Sequence, residues 1–267
     1  MKLKIMTYNI ASGRCYAVDE KITPEGGAET RLDACAEVIR EVSPDFCGLN
    51  EINHYLPGFV ERVGHFQNVA DQTGYLANFT GLNHHFFGQA LYIQNRGSYG
   101  NAVISKHPLL EAEAISVPDP KIFDENAYYE SRGITRAKLD IAGGITVLQI
   151  HVGLATAEKQ NAVVELCRIL DETKGPVILM GDFNMCPDNF LLDRLRGRLT
   201  EVLPEGEGYV HTFPSWTHED ALPESMRNHP YCKLDYIFVS DHFKPLSCRV
   251  LKTRASDHMP MVAELEI

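Results

Sequence analysis

The sequence predicts one α/β domain over residues 1–267, two packed mixed sheets flanked by helices. Two observations carry this. About ten short apolar or alternating runs have strand character, against three or four runs with helical periodicity. The strands occur both as meanders and separated by helices, a mixture that packs sheet on sheet beneath helical layers. No repeat, low-complexity tract or linker marks a boundary, and 44% hydrophobic residues with 23% charged ones can supply a core.

In order, residues 3–8 alternate as a first strand ending at Asn9, and the Gly-rich, polar stretch 11–28 reads as a loop. Leu32, Cys35, Ile39 and Val42 recur at helical spacing until Ser43-Pro44 ends the helix. Phe46 to Leu49 is a short buried strand with Glu51 just beyond it. Residues 59–73 carry weak helical periodicity, and 84–94 is an aromatic-rich strand. Gly100 to Ser105 and 109–117 read as strands, and 118–130, with two prolines, as a surface loop. Ile134–Ile141 and Ile145–Ile150 alternate around a Gly143-Gly144 turn, with His151 closing the second. Residues 157–173 form the clearest helix, with Thr156 placed to cap it and Gly175-Pro176 to stop it. Val177 to Met180 is a buried strand, Leu191–Leu195 a short helix, and 204–231 a polar loop holding Trp216. Leu234–Val239, Ser247–Leu251 and Met261–Ile267 close the chain as strands.

Charge and cysteine usage narrow the function classes. With 36 acidic and 25 basic residues the net charge is −11, and no run of Lys and Arg supplies a broad face for duplex phosphates. No stretch has the apolar length of a membrane span, and the N-terminus reads directly into a strand without a leader pattern. The seven cysteines form no C-x-x-C pair, which suits reduced thiols and a cytoplasmic location.

The strand ends hold the chemistry. In P-V-I-L-M-G-D-F-N an apolar run stops at Gly181 and presents Asp182 and Asn184, an arrangement that serves a polar site or a simple turn. Asn9, Glu51, His151, Asp235 and the pair Asp257-His258 stand in comparable places. Asn after a strand is also a common turn residue, and His151 fits a core edge equally. Asp235, between Leu234 and Tyr236 in a buried run, needs a partner, and His258 supplies one. Carboxylates and amides with no multi-histidine or cysteine cluster favour a hard cation, Mg²⁺ or Mn²⁺, over zinc. That set suits attack of water on phosphorus.

Asn9, Glu51, G-D-F-N at 181–184, L-D-Y-I-F at 234–238 and S-D-H at 256–258 together resemble the endonuclease/exonuclease/phosphatase superfamily, the DNase I-like fold. The resemblance runs from residue 7 to the C-terminus and implies a four-layered α-β-β-α sandwich. It implies that Glu51 binds the cation with Asn9 and Asp257, and that Asp182 orients or deprotonates water beside Asn184. It implies that His258, held by Asp235, acts on the phosphate, and that His151 serves the transition state or the leaving group. Arg132 and Asn101 are expected at the phosphate, with an ion pair to Glu130 as the other reading of Arg132. T-F-P-S at 212–215 resembles small bacterial metal-dependent hydrolases of this superfamily.

The expected activity is hydrolysis of a phosphodiester or phosphomonoester on a small or single-stranded phosphorylated molecule by a monomer. A DNA endo/exonuclease of the same fold is the alternative, and a binding module that has lost catalysis is another, which predicts gaps in the residue set. A calcineurin-like phosphatase needs D-x-H and G-N-H-E motifs that the chain lacks. His84, His85, Tyr128, Tyr129 and Trp216 sit in loops and either line a substrate cleft or serve as packing, the reading preferred here.

Overall fold

A computed structural model describes residues 1–15, 29–63, 69–121, 123, 126, 128–206, 210–217 and 228–267. The strands are β1 (Lys2–Asn9), β2 (Arg14–Cys15), β3 (Glu29–Thr30), β4 (Phe46–Tyr55), β5 (His84–Ile93), β6 (Gly97–Ser105), β7 (Leu109–Ser116), β8 (Gly133–Leu139), β9 (Ile145–His151), β10 (Val177–Asp182), β11 (Thr200–Glu201), β12 (Asp235–Val239), β13 (Lys244–Val250) and β14 (Met261–Glu266). The helices are α1 (Leu32–Val42), α2 (Pro57–Val63), α3 (Gln72–Thr80), α4 (Thr156–Glu172) and α5 (Asp193–Arg196).

Two six-stranded sheets form, in the orders β13-β14-β1-β4-β6-β5 and β11-β12-β10-β9-β8-β7. Each is mixed, because β1–β4 and β9–β10 pair in parallel while their neighbours run antiparallel. Ile5, Phe46, Val147, Ile178 and Ile237 pack between the sheets. The outer face of the first sheet buries Met6 and Leu49 against Leu32 and Ile39 of α1 and Leu76 of α3. The outer face of the second buries Leu148, Leu179 and Phe238 against Val163 and Leu166 of α4. The result is the expected α-β-β-α sandwich.

Local departures from the sequence reading have physical causes. The strand read as Phe46–Leu49 continues to Tyr55, because a bulge between Leu49 and Ile52 absorbs Glu51 without ending the ladder. The helical signal at 59–73 divides into α2 and a separate α3, while 64–68 lie outside the described residues. α3 was hidden by Gly74 and by buried polar Gln72 and Thr73, yet the Asp71 carboxylate caps it by accepting the Gly74 N–H at 2.8 Å. At α4 the capping position is Ala155, not Thr156, and Glu158 reaches back to accept the Ala155 N–H at 3.0 Å. His84 and His85 open β5 instead of lying in a loop.

The cysteine expectation is corrected. Cys186 and Cys232 form a disulfide with Cα atoms 5.8 Å apart, while the other five are free. No short spacing announces the pair because 46 positions separate it. The fold closes that gap when the Tyr236 hydroxyl donates to Met185 O at 2.8 Å, tying the segment after β10 to β12. No described helix is long and apolar enough to cross a membrane.

Candidate active site

Adjacent strands deliver the reacting groups in register. Asp182 at the end of β10 pairs with His151 of β9 on one side and Asp235 of β12 on the other. Across the sandwich, β1 and β4 pair Asn9 with Asn50, and the bulge at Glu51 turns its carboxylate into the same cleft. Glu51 and Asn184 both have left-handed backbones, φ 59° and 49°. Non-glycine residues held there concentrate at functional sites, where the surroundings fix them. Gly181 (φ 141°) brings β10 so close to β9 that a β-carbon would strike Ile150 O, which explains the glycine before Asp182.

The side chains form one hydrogen-bonded set. The Asn9 Nδ2 donates to Asp182 Oδ2 at 3.0 Å and to Glu51 Oε1 at 3.3 Å, while its oxygen accepts the Ala11 N–H. Asn9 therefore reaches the site as expected, but it spans the two carboxylates through its nitrogen. Asp182 Oδ1 accepts the Asn184 backbone N–H at 2.9 Å. His258 lies between acids, with Nδ1 2.8 Å from Asp235 Oδ2 and Nε2 3.5 Å from Asp182 Oδ2. Asp257 lines the cleft close enough to Glu51 to act on its ionisation.

Burial sets the protonation states. It pushes the Asp182 carboxyl up to about 7, with His258 opposing and Asp235 reinforcing the rise. For His258 burial works against the charge, but Asp235 and Asp182 outweigh it and hold the imidazole well above its ordinary value, as a cation. His151 goes the other way, because burial, Arg132 and His258 all push it down. Its Nδ1 lies 3.0 Å from Arg132 Nη1 and its Nε2 3.1 Å from Asn184 Nδ2, so a nitrogen donor faces each ring nitrogen of this imidazole. Nε2 is 3.4 Å from Asp182 Oδ2. The neighbouring Asn184 amide donates to Val152 O at 2.9 Å.

Asp182, Asp235 and His258 offer ligand atoms within 4.8 Å of one another. His258 held as an imidazolium has no free lone pair to ligate a metal, so this trio is a poor place for a cation. Glu51 is different: burial raises its carboxyl first and Asp257 adds to the rise, with Arg14 at 3.6 Å as a partly exposed counter-charge. Two neighbouring carboxylates, with only a partly exposed arginine as counter-charge, fit a hard divalent cation there.

Arg132 makes the ion pair of its second reading and stands on the cleft wall. It lines the cleft, is 6% exposed, and pairs with Glu130 at 2.8 Å. Asn101 lies beneath the floor and does not line the cleft. Its amide donates to Gly133 O and its oxygen accepts from Asn50, which ties the 2% exposed side chain into the network under the cleft instead of at its surface.

The cleft, about 540 Å³, also takes in Arg14, Tyr55, Arg96, Tyr99, Leu154 and Phe213, which no strand-end pattern signalled. Of the loop residues with two readings, Tyr128 lines it too, against the preferred packing reading. T-F-P-S carries a specific task. Thr212 Oγ accepts the Leu234 and Asp235 N–H groups, Ser215 N–H donates to Asp257 O, and the Phe213 ring lies 4.9 Å from the His258 ring.

Comparison with known proteins agrees with this fold. The sequence pattern of the Endonuclease/Exonuclease/phosphatase family matches residues 6–258. Among solved structures, an endonuclease/exonuclease/phosphatase from Beutenbergia cavernae DSM 12333 is 22% identical with TM-score 0.70, covering 100% of this chain and 72% of that one. The Bacteroides thetaiotaomicron VPI-5482 mannosyl-6-phosphatase Bt3783 is 16% identical with TM-score 0.71, covering 99% and 100%. D. rerio TDP2 complexed with single strand DNA product is 15% identical with TM-score 0.64, covering 100% and 99%. No curated protein matches the sequence. With the family pattern spanning nearly its whole length, and the site residues gathered in one cleft, the chain belongs to the endonuclease/exonuclease/phosphatase family of phosphoester hydrolases.

Proposed function

We propose that this chain is a divalent-cation-dependent phosphoesterase that hydrolyses a small phosphorylated molecule by direct attack of water. The observation that carries the reading is the convergence of Glu51, His151, Asp182, Asn184 and His258, drawn from both sheets, on one cleft. Glu51 with Asp257 would hold Mg²⁺ or Mn²⁺, and Asn9 fixes the Glu51 carboxylate. The bound cation would neutralise charge on the phosphoryl oxygens.

The protein's own groups supply the rest. Asp182, raised to about 7, is poised to take a proton from the attacking water near neutral pH. The His258 imidazolium, fixed by Asp235, places a positive N–H beside the phosphate. The His151 imidazole and the Arg132 guanidinium, 3.0 Å apart on the cleft wall, stabilise charge that builds on the phosphoryl oxygens. A cleft of about 540 Å³ has the size of a small-molecule site. The net charge of −11 opposes a long nucleic acid.

A hydrolysis screen over sugar phosphates, nucleotides, inositol phosphates and short single strands tests this, with Mg²⁺, Mn²⁺ or EDTA, reading phosphate release from monoesters and product fragments from diesters. Release from a small ester that EDTA abolishes supports the reading. Release confined to duplex DNA, or unaffected by EDTA, contradicts it.

A further inference from the structure

Beyond the reacting groups the cleft has a second wall: Tyr55 at the end of β4, Ile93 at the end of β5, and Arg96 just before β6. Three arginines line the cleft, and their charges are not equivalent. Arg14 faces Glu51 at 3.6 Å, and Arg132 pairs with Glu130 at 2.8 Å. Arg96 has no carboxylate partner among the described residues. Its side chain makes one hydrogen bond, from Nη2 to Asn53 Oδ1 at 3.1 Å, and its Nε is buried without a partner.

Arg96 is nonetheless held in place. Asn53 is fully buried, its amide donates to Ser12 Oγ at 2.8 Å, and its backbone N–H donates to Gln72 Oε1 at 2.8 Å. The guanidinium lies 5.7 Å from the centre of the Tyr55 ring. Backbone bonds from Arg96 N–H to Ile93 O and from Leu56 N–H to Arg96 O fix the chain on both sides. Stacking on Tyr55 and bracing the turn would be reason enough for an arginine at the surface. Here the fork lines an open cleft with most of its donors unused, and the whole chain is acidic. A fixed guanidinium with open donors and no acid beside it is suited to a planar or tetrahedral oxyanion.

We propose that Arg96 forms a second anion subsite, so that the preferred substrate carries, besides the ester that is cleaved, a second phosphate or carboxylate bound by Arg96. This rests on the phosphoesterase reading and narrows it to bis-anionic small molecules. Arg96 is a specificity residue, and it acts on binding, not on the chemical step.

Matched substrate pairs test it on the full-length protein with Mg²⁺. Fructose 1,6-bisphosphate is compared with fructose 6-phosphate for a second phosphate, and 3-phosphoglycerate with glycerol 3-phosphate for a carboxylate. The wild type favours the bis-anionic member of one pair by about tenfold or more in kcat/KM, as expected for a charge-assisted hydrogen bond in a cleft. Arg96→Gln removes that ratio through KM, and Arg96→Lys restores part of it. No preference within either pair, or a preference that survives Arg96→Gln, overturns the subsite while leaving the phosphoesterase reading intact. If the wild type cleaves none of the four, calorimetric binding of the same pairs decides. Tighter bis-anion binding lost in Arg96→Gln upholds the subsite, and equal binding within both pairs overturns it. In both cases the substrate screen with and without EDTA, not these four compounds, decides the phosphoesterase reading.

Discussion

His258 Nδ1 lies 2.8 Å from Asp235 Oδ2, and both residues are almost fully buried. Asp235 touches no solvent and does not line the cleft, so its work is done through the imidazole. Asp235→Ala would leave His258 free to turn and less basic. Turnover should fall about a hundred- to ten-thousandfold, the range of a general acid–base group. Asp235→Glu should recover part of it. Steady-state kcat for the two variants checks this. A positioning role also requires the pH profile of Asp235→Ala to differ from wild type, which loss of packing alone would not produce.

A second expectation concerns pH. Burial raises the Asp182 carboxyl to about 7, so it gains its proton as pH falls through neutrality. A protonated Asp182 cannot accept a proton from water, so kcat/KM should decline below about 7. A bound cation favours the ionised form, and higher Mg²⁺ should move this acidic limb downward. A profile flat from pH 5 to 8 at every Mg²⁺ concentration would exclude Asp182 as the base.

The floor of the cleft bears on stability. Asn50 is fully buried, and its Oδ1 accepts the Asp182 N–H at 3.1 Å and Gln149 Nε2 at 2.9 Å. Its Nδ2 donates to Asn101 Oδ1 at 2.8 Å and Ile150 O at 2.9 Å. One amide thus joins strands of both sheets. Asn50→Ala leaves several buried polar groups unpaired and should cost at least ~2 kcal/mol, since each costs about 1–3 kcal/mol. Urea unfolding measures it, and a loss below ~0.5 kcal/mol would show that the network has little weight.

How much of this was legible in the sequence follows from what each feature needs. Strand-end polar residues such as Asp182 and Asp235 stand out because an apolar run stops at them, and buried carboxylates demand partners. Glu51 was found for the same reason, although the bulge that aims it was not, because a bulge depends on the partner strand. Asn101 was assigned to the phosphate from its neighbours, and only the fold shows that Asn50 and Gly133 use its amide. Arg96 and Tyr55 had no signal: a surface-type residue becomes a cleft residue only when distant strands bring it there. The Cys186–Cys232 pair was invisible for the same reason.

That disulfide yields a chemical count. Denatured but unreduced protein should show five reactive thiols, and reduced protein all seven. A thiol-reagent titration of protein purified without reductant reads this directly. Seven thiols before reduction would contradict the pairing of Cys186 with Cys232.

The central claim is that Glu51 and the groups facing it form a cation site serving phosphoester hydrolysis. The most direct measurement is Mg²⁺ binding by calorimetry together with phosphate release, on wild type and Glu51→Gln. Wild type should bind Mg²⁺ and release phosphate, with EDTA abolishing the release. Glu51→Gln, folded by circular dichroism, should lose Mg²⁺ affinity and turnover together, each by at least about tenfold. Wild-type levels of both in Glu51→Gln would contradict the account.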